Sequence, residues 1–571
     1  KELMGRAIVL ICLLLVAAGA QASLKVTVVP AKKSVRENIE AYVGVVEGDS
    51  PQALERQFRH IDQQATLAAQ ALGYYHSRNE LSISGDEDDP VLTLKVELGE
   101  PVRLGEVNIE ILGAGRGTDA FLLPSAAMLQ PGAVLHHGRY ETVKSQINNQ
   151  ALRYGYFEGQ YLKRELRVDP ERNIADIHIQ YDTGPRYRLG QVNFSETIFA
   201  PELLARMVPF EPGVPYDADL VGQLNQDLLS SGYFNGVLVT APADRANGQE
   251  VPVQVEITER DPHSLGLGGG YSTDVGVRGK LTWDQHWVNP QGHSRGASME
   301  LSIPRQNVTA FYQVPLDPPL DNNLRYFVGW QHENIDDVET RSLAVGAELN
   351  TRLESGWQRT IGLRLQHEIF SLGDDSGNST LLIPSLVLQR TQATGGVDPS
   401  RGYSMLMDVQ GAKAGVLSTV DFARVMGQVK GLYTAFENHR LFGRLALGAV
   451  ATNDFSSIPP SLRFFAGGDQ SIRGYDYQTL SPVDSTGDTV GGRYLIASTA
   501  EYQYEFIDKW RAATFVDYGN AIDSLTDPLK TSVGIGVRWV SPIGPIRVDL
   551  ARSLSDPDEG FKIHFSMGPE L

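Results

Sequence analysis

From residue 263 to the end, the chain alternates apolar and polar residues with a period of two, segment after segment. That period places successive side chains on opposite faces of a strand and excludes helices for this half of the molecule. The last segments show it best. Val533, Ile535, Val537 and Trp539 alternate with Ser532, Gly534, Gly536 and Arg538, and Ile546, Val548 and Leu550 alternate with Arg547, Asp549 and Ala551. Phe561, Ile563, Phe565 and Met567 alternate with Lys562, His564 and Ser566. In a soluble sandwich the apolar face forms a core; in a transmembrane barrel it meets lipid and the polar face lines the lumen. The aromatic strand ends at Trp283, Trp287 and Trp539, and short proline-rich turns such as Val314-Pro315-Leu316-Asp317-Pro318-Pro319, favour the barrel. About sixteen strands fit, at roughly 19 residues per strand plus loop, enough for crossings of about ten residues.

The amino terminus supports export. Lys1 and Arg6 flank the start of an apolar run from Ala7 to Ala18, followed by Gly19 and Ala20-Gln21-Ala22. This reads as a secretory signal peptide over 1–22, cleaved before Ser23, because the run is shorter than the ~20 apolar residues a spanning helix needs. Cys12, the single cysteine of the sequence, lies inside it. The expected mature chain therefore has no thiolate metal site, cysteine nucleophile or disulfide. A net charge of −19 argues against nucleic acid, whose phosphates call for a basic footprint.

Between the signal and the alternating half, three segments repeat in phase. Gly73-Tyr74-Tyr75, Gly155-Tyr156-Phe157 and Gly232-Tyr233-Phe234 stand roughly eighty residues apart. Each follows an apolar stripe of helical spacing: Leu54, Phe58, Ile61, Ala65, Ala68, Leu72; then Tyr140, Val143, Ile147, Ala151; then Leu220, Leu224, Leu228. The glycine is the expected helix stop, with the aromatic pair packing back onto a sheet. Gln130-Pro131-Gly132 and Glu211-Pro212-Gly213 precede the second and third stripes, and Arg103-Leu104-Gly105-Glu106-Val107 is echoed by Arg188-Leu189-Gly190-Gln191-Val192. Short alternating strands open and close each unit, giving the order strand, helix, helix, strand, strand.

Such a unit resembles the POTRA (polypeptide-transport-associated) domain. Three copies are expected, over residues 23–101, 102–185 and 186–262, ahead of a barrel over 263–571. With Phe464-Phe465-Ala466-Gly467-Gly468-Asp469-Gln470-Ser471-Ile472-Arg473-Gly474-Tyr475 and the strand Phe515-Val516-Asp517-Tyr518-Gly519-Asn520, the chain resembles the POTRA-barrel proteins of outer-membrane assembly and secretion. Three repeats and the ending Gly568-Pro569-Glu570-Leu571 are most similar to the barrel subunits of translocation and assembly modules. Fold class is thus multidomain: tandem α+β domains, then a 16-stranded antiparallel barrel.

The resemblance implies that Ile472, Arg473, Gly474 and Tyr475 form a loop motif inserted into the lumen, received by Asp517 and by Glu501 on the preceding strand. Arg401-Gly402-Tyr403 is a second, weaker copy of the tripeptide. A buried arginine needs a carboxylate, since an unpaired charge is costly and a bidentate pair directional. The first strand, Leu265-Gly266-Leu267-Gly268-Gly269-Gly270-Tyr271, puts Gly266, Gly268 and Gly270 inward, so little packing fixes its register. Its pairing with the last strand, Phe561-Lys562-Ile563-His564-Phe565-Ser566-Met567, is expected to be weak, and a strand edge open in lipid is a template for an incoming strand.

Enzymatic readings find no support. Gly292-His293-Ser294-Arg295-Gly296 matches a nucleophile pattern but lies between Asn289-Pro290 and an alternating strand, where a hairpin turn is expected in place of a strand-to-helix elbow. His136-His137 is too closely spaced for a helical metal pair. No catalytic residue, metal or cofactor is expected. By resemblance the chain is a monomeric outer-membrane barrel with periplasmic repeats, acting on nascent β-rich clients such as autotransporters within outer-membrane lipid. A TamB-like, periplasm-spanning partner anchored in the inner membrane is implied with it. A phospholipid conduit and a two-partner secretion pore are the alternatives.

Overall fold

The computed structural model describes residues 23–46, 50–86, 89–373, 375–396, 398–542 and 544–568. The expected signal peptide and the terminal Pro569-Glu570-Leu571 lie outside them. The chain divides into two compact units, residues 1–193 with 210–223 and 239–255, and residues 194–209 with 224–238 and 256–571.

Three small sheets come first. They are built from β1 (Ser23–Val29), β2 (Arg78–Asp86) and β3 (Asp89–Glu97); β4 (Arg103–Leu112), β5 (Gln160–Asp169) and β6 (Ile174–Asp182); and β7 (Arg188–Phe194), β8 (Phe234–Thr240) and β9 (Glu250–Glu259). Their strand orders are β1-β3-β2, β4-β6-β5 and β7-β9-β8. In the first two, the middle strand runs parallel to one neighbour and antiparallel to the other. It is also the most buried, with Leu92, Leu94, Ile177 and Ile179 fully covered.

The helical stripes form the other layer. In the first repeat the stripe is divided between helices Pro51–Glu55 and Phe58–Ala71. Ser50 caps the first of these and Pro51 occupies its opening turn. Both pieces still feed one core, containing Leu54, Ile61, Ala65 and Ala68. In the second repeat His137–Arg153 buries Tyr140, Val143, Ile147 and Ala151. Its expected first helix is replaced by 3₁₀ turns at Gly113–Gly115, Asp119–Phe121 and Pro124–Met128, because Gly113 adopts φ +78 and Pro124 interrupts any longer helix. The third repeat has the short helix Pro201–Ala205 and the longer Ala218–Ser230.

The glycine-aromatic triplets differ from expectation in one respect. Gly73, Gly155 and Gly232 do end helices at φ +91, +78 and +81. Tyr74 and Tyr156 pack into their own repeats. In the third repeat Phe234 opens β8 of its own sheet, as expected, but in the first two the second aromatic leaves its repeat. Tyr75 joins the next repeat's core and meets His137 Nε2 at 2.9 Å, and Phe157 stands edge-on to Tyr187 and Tyr216 at 5.3 and 4.9 Å. Tyr75 and Phe157 lie in the turn that follows each helix, so in these two repeats the two rings of a pair serve two different cores.

The remaining strands form one antiparallel sheet in chain order. They are β10 (His263–Ser272), β11 (Gly276–Gln285), β12 (Ser294–Ser302), β13 (Arg305–Pro315), β14 (Asn322–Ile335), β15 (Val338–Arg352), β16 (Gln358–Leu372) and β17 (Asp375–Thr394). Then follow β18 (Arg401–Ala412), β19 (Phe422–Ala435), β20 (His439–Ala451), β21 (Tyr494–Ile507), β22 (Trp510–Ile522), β23 (Lys530–Ser541), β24 (Gly544–Ser553) and β25 (Phe561–Met567). Burial is inverted relative to a soluble sheet: Ile535 is 64% exposed whereas Arg538 is 1% exposed. Apolar side chains on the outside and charges within are what a barrel in lipid requires. Among the described residues no helix is long and apolar enough to cross a membrane.

Candidate functional site

The connection from Thr452 to Arg493 folds into the lumen on an apolar cluster of its own. Ile458, Leu462, Phe464, Ala466, Ile472, Tyr475 and Leu480 pack against the wall residues Leu381, Ile383, Ala446, Val450 and Leu495. Arg463 knots the base of the loop by donating to the carbonyls of Ile458, Val490 and Ser456 at 2.8, 2.8 and 2.9 Å. Arg444 on β20 donates to the carbonyls of Gln470 and Ser471, both at 2.5 Å, and to Thr499 Oγ1 at 2.8 Å. Backbone carbonyls of an irregular segment buried in a lumen need donors, and these two arginines supply them.

At the tip, Arg473 meets three carboxylates. Its Nε and Nη2 donate to Asp517 at 2.8 and 3.0 Å, its backbone N–H to Asp517 Oδ2 at 3.1 Å, and its Nη1 to Glu501 at 2.8 Å and Asp549 at 3.1 Å. Its guanidinium carbon lies 3.3 Å from the centroid of Phe515. Arg538 sits on the far side, donating to Glu501 at 3.1 and 2.9 Å and to Asp549 at 2.6 Å. All five side chains are nearly sealed from solvent, so each charge depends on its neighbours. Gly536 makes the arrangement possible, since a Cβ there would run into the Asp549 carboxylate and stand 2.7 Å from Arg538.

The two expected carboxylates, Asp517 and Glu501, both contact Arg473; Asp549, Arg538 and Arg444 complete a network that the motif does not include. Their signal was charge on the lumen-facing alternation of β20, β23 and β24, but only the strand register brings them together. Arg401-Gly402-Tyr403 begins the wall strand β18 and is not part of the loop. Ile472 is fully buried in the loop cluster. Gly474 adopts φ +94, and a Cβ there would meet Ser553 N at 3.2 Å. Its N–H donates to His564 Nε2 at 2.9 Å, and Tyr475 Oη contacts Ser553 Oγ at 2.5 Å and Asp556 Oδ2 at 2.7 Å.

Gly292-His293-Ser294-Arg295-Gly296 runs from a turn into β12, with Gly292 at φ +76, and no helix follows it. His137 opens a helix and bonds Tyr75.

The seam is sparsely bonded. β10 and β25 end the sheet order and share no ladder, while β25 pairs with β24 from Phe561 to Met567. Among the described residues, two hydrogen bonds join the edges, Thr273 N to Phe565 O and Phe565 N to Thr273 Oγ1, both 3.1 Å, beside a Tyr271–Phe565 ring contact of 5.5 Å. Leu265, Leu267 and Tyr271 face outward, leaving Gly266, Gly268 and Gly270 on the inner face. Lys562 and His564 point into the lumen, and Phe561 and Ile563 outward.

Asp274, in the turn after β10 and outside the membrane-spanning strands, accepts from Asp469 N at 3.1 and 3.0 Å. Burial, with Asp469 and then Asp476 nearby, pushes its carboxyl up to about 8. Near neutral pH the turn therefore meets the loop without two opposed full charges.

A family model described as the Omp85 superfamily domain matches residues 267–570. Two POTRA models match as well, one for domain 1 of TamA over residues 25–98 and one described as a surface antigen variable number repeat over 187–260. The outer membrane protein assembly factor BamA of Nitratidesulfovibrio vulgaris is 27% identical over 399 residues, 64% of this chain and 49% of that protein. The chain thus spans about half the length of this relative. BamA of Neorickettsia risticii is 23% identical over 527 residues, 85% of this chain and 68% of its own length. The crystal structure of BamA from Haemophilus ducreyi lacking POTRA domains 1–3 matches at a TM-score of 0.67 and 17% identity, covering 82% of this chain and 99% of that one, a likeness of fold. With repeats of periplasmic type ahead of an outer-membrane barrel, and no enzymatic member among these relatives, the chain belongs to the Omp85 superfamily.

Proposed function

We propose that this protein is an assembly factor of the outer membrane that inserts or secretes β-rich clients, autotransporters among them, by opening the seam between β10 and β25. An exposed strand edge in lipid carries unsatisfied backbone groups, and a client strand satisfies them by augmentation. The observation that carries this reading is the sheet end itself: sixteen strands in order, with two hydrogen bonds where a ladder of pairs would otherwise close the ring. The names of the BamA relatives support assembly as the activity. The match of residues 25–98 to a TamA domain supports the barrel subunit of a translocation and assembly module, working with a TamB-like periplasm-spanning partner. The chain needs no cofactor for this; client folding supplies the free energy.

The test is a reversible lock. With Cys12 replaced, cysteine pairs placed between Leu265–Tyr271 and Phe561–Met567 are oxidised, and assembly of an autotransporter β-domain is measured before and after reduction. Assembly should stop under the lock and return on reduction while the barrel stays folded. Normal assembly through a locked seam would overturn the proposal; if phospholipid delivery fell instead, the conduit reading would replace it.

A further inference from the structure

The lumen loop touches both sides of the seam. On the β10 side, Asp274 takes the Asp469 N–H with both carboxylate oxygens. Gly468, at φ +96, allows this approach, because a Cβ there would stand 2.7 Å from Asp274 Oδ2. On the β25 side, Gly474 N–H donates to His564 Nε2 at 2.9 Å, and Lys562 Nζ pairs with Asp476 Oδ2 at 2.5 Å. Tyr475 extends this side to Asp556 in the connection between β24 and β25. Asp469, Gly474 and Asp476 belong to one short stretch that is rooted by its own Arg473, bound to Asp517 on β22, and by Arg444 of β20, which holds the Ser471 carbonyl.

The arithmetic of partners then favours the loop over the strands. The edges themselves share two hydrogen bonds, both involving Thr273. Through the loop they are joined by a bifurcated bond to a carboxylate on one side and an ion pair plus a backbone-to-imidazole bond on the other. The Asp274 bond is part-buried and the His564 bond buried, where a low local dielectric strengthens a hydrogen bond, whereas the Lys562–Asp476 pair is open to solvent and adds less.

We infer that the lumen loop is a staple that holds the seam shut, with Asp274, Lys562 and His564 as its positioning residues, so that lateral opening begins by releasing the loop from one edge. The inference deepens the function proposed above and rests on it only for its consequence, since the staple acts without a client. It also gives the network around Arg473 a purpose beyond plugging the lumen: a staple needs a fixed root.

The experiment measures seam width directly. Spin labels at Leu267 and Ile563, lipid-facing positions on the two edges, report the distance in the full chain, with Cys12→Ser, in phosphatidylcholine–phosphatidylglycerol nanodiscs without client. The unsubstituted protein should give one narrow distance. Asp274→Leu should raise the ratio of wide to narrow pairs roughly tenfold, the population change that follows from losing a part-buried hydrogen bond, and Lys562→Met roughly twofold, as suits an ion pair open to solvent. Asp274→Asn, which keeps an acceptor oxygen, should restore the narrow distance, an outcome general destabilisation would not produce. If Asp274→Leu fails to fold, Gly468→Ala serves for that edge and should widen the distribution in the same way. Narrow distributions in both Lys562→Met and the folded variant of the Asp274 edge would overturn the staple. Because no client is present, this result is independent of whether a locked seam blocks assembly.

Discussion

The repeats and the barrel are written in the same period-two pattern and bury opposite faces of it. In β6 the apolar positions Ala175, Ile177, Ile179 and Tyr181 are covered and the alternate positions are not. In β23 the apolar Ile535, Val537 and Trp539 are exposed, while Ser532 and Arg538 are sealed. Alternation therefore specifies a strand but not which face is inside; that depends on the solvent beyond it. The polar partners decide the matter. Charges on the buried face of β21 to β24 find one another across strands, and β6 offers Asp176, His178 and Gln180 only to its exposed side.

The largest expected effect comes from breaking the inverted core. Arg473→Ala leaves Glu501 and Asp549 with Arg538 and takes from Asp517 its ion pair, and breaking a buried pair costs about 3–5 kcal/mol. Heat-dependent unfolding in detergent, followed by gel mobility, should show a marked loss of barrel stability. Next is a matched pair of truncations. Ile179→Ala in the second repeat opens a cavity in a close-packed core and should cost about 2–4 kcal/mol, whereas Ile535→Ala faces lipid that fills the space and should cost about 1 kcal/mol. Denaturant titration of the full chain, read separately by probes in each region, measures the contrast.

A smaller effect should separate the two regions by sign of pH response. Burial, and then His136, hold His137 below its ordinary value at the junction where it bonds Tyr75. Its contribution is present above the ordinary imidazole value and is lost as pH falls through and below it. Asp274 is raised to about 8, so its contribution is greatest in acid and declines as pH rises from the ordinary carboxylate range to about 8. Hydrogen exchange corrected for intrinsic rates should show Tyr75–His137 loosening in acid and the Asp274–Asp469 contact loosening in alkali. The same sign at both places would contradict the assignment.

Much of this was legible in the sequence, for stated reasons. Helical stripes, glycine stops and dyad strands are local signals, and they delivered the element order. The motif around Arg473 carried enough context to separate it from Arg401, which lies in a wall strand. What stayed hidden depended on register. Asp549 and Arg538 lie on different strands from Glu501, and only pairings such as Gly536 with Asp549 bring them together. The role of Tyr75 and Phe157 was misread because a turn glycine shows where a helix ends and not which core the next ring enters. The missing first helix of the second repeat had its cause in view, in Gly113, Gly115 and Pro124, but strong resemblance to the other units masked it.

The central claim, that the edge of β10 is where clients are built, is tested most directly by proximity during assembly. A photo-crosslinking residue at Leu267 on the seam, and another at Leu363 on the lipid-facing wall of β16, can be activated while an autotransporter β-domain is being inserted. The account predicts client adducts from Leu267 and none above background from Leu363. Equal adducts from both positions, or none from Leu267 while insertion proceeds, would contradict it.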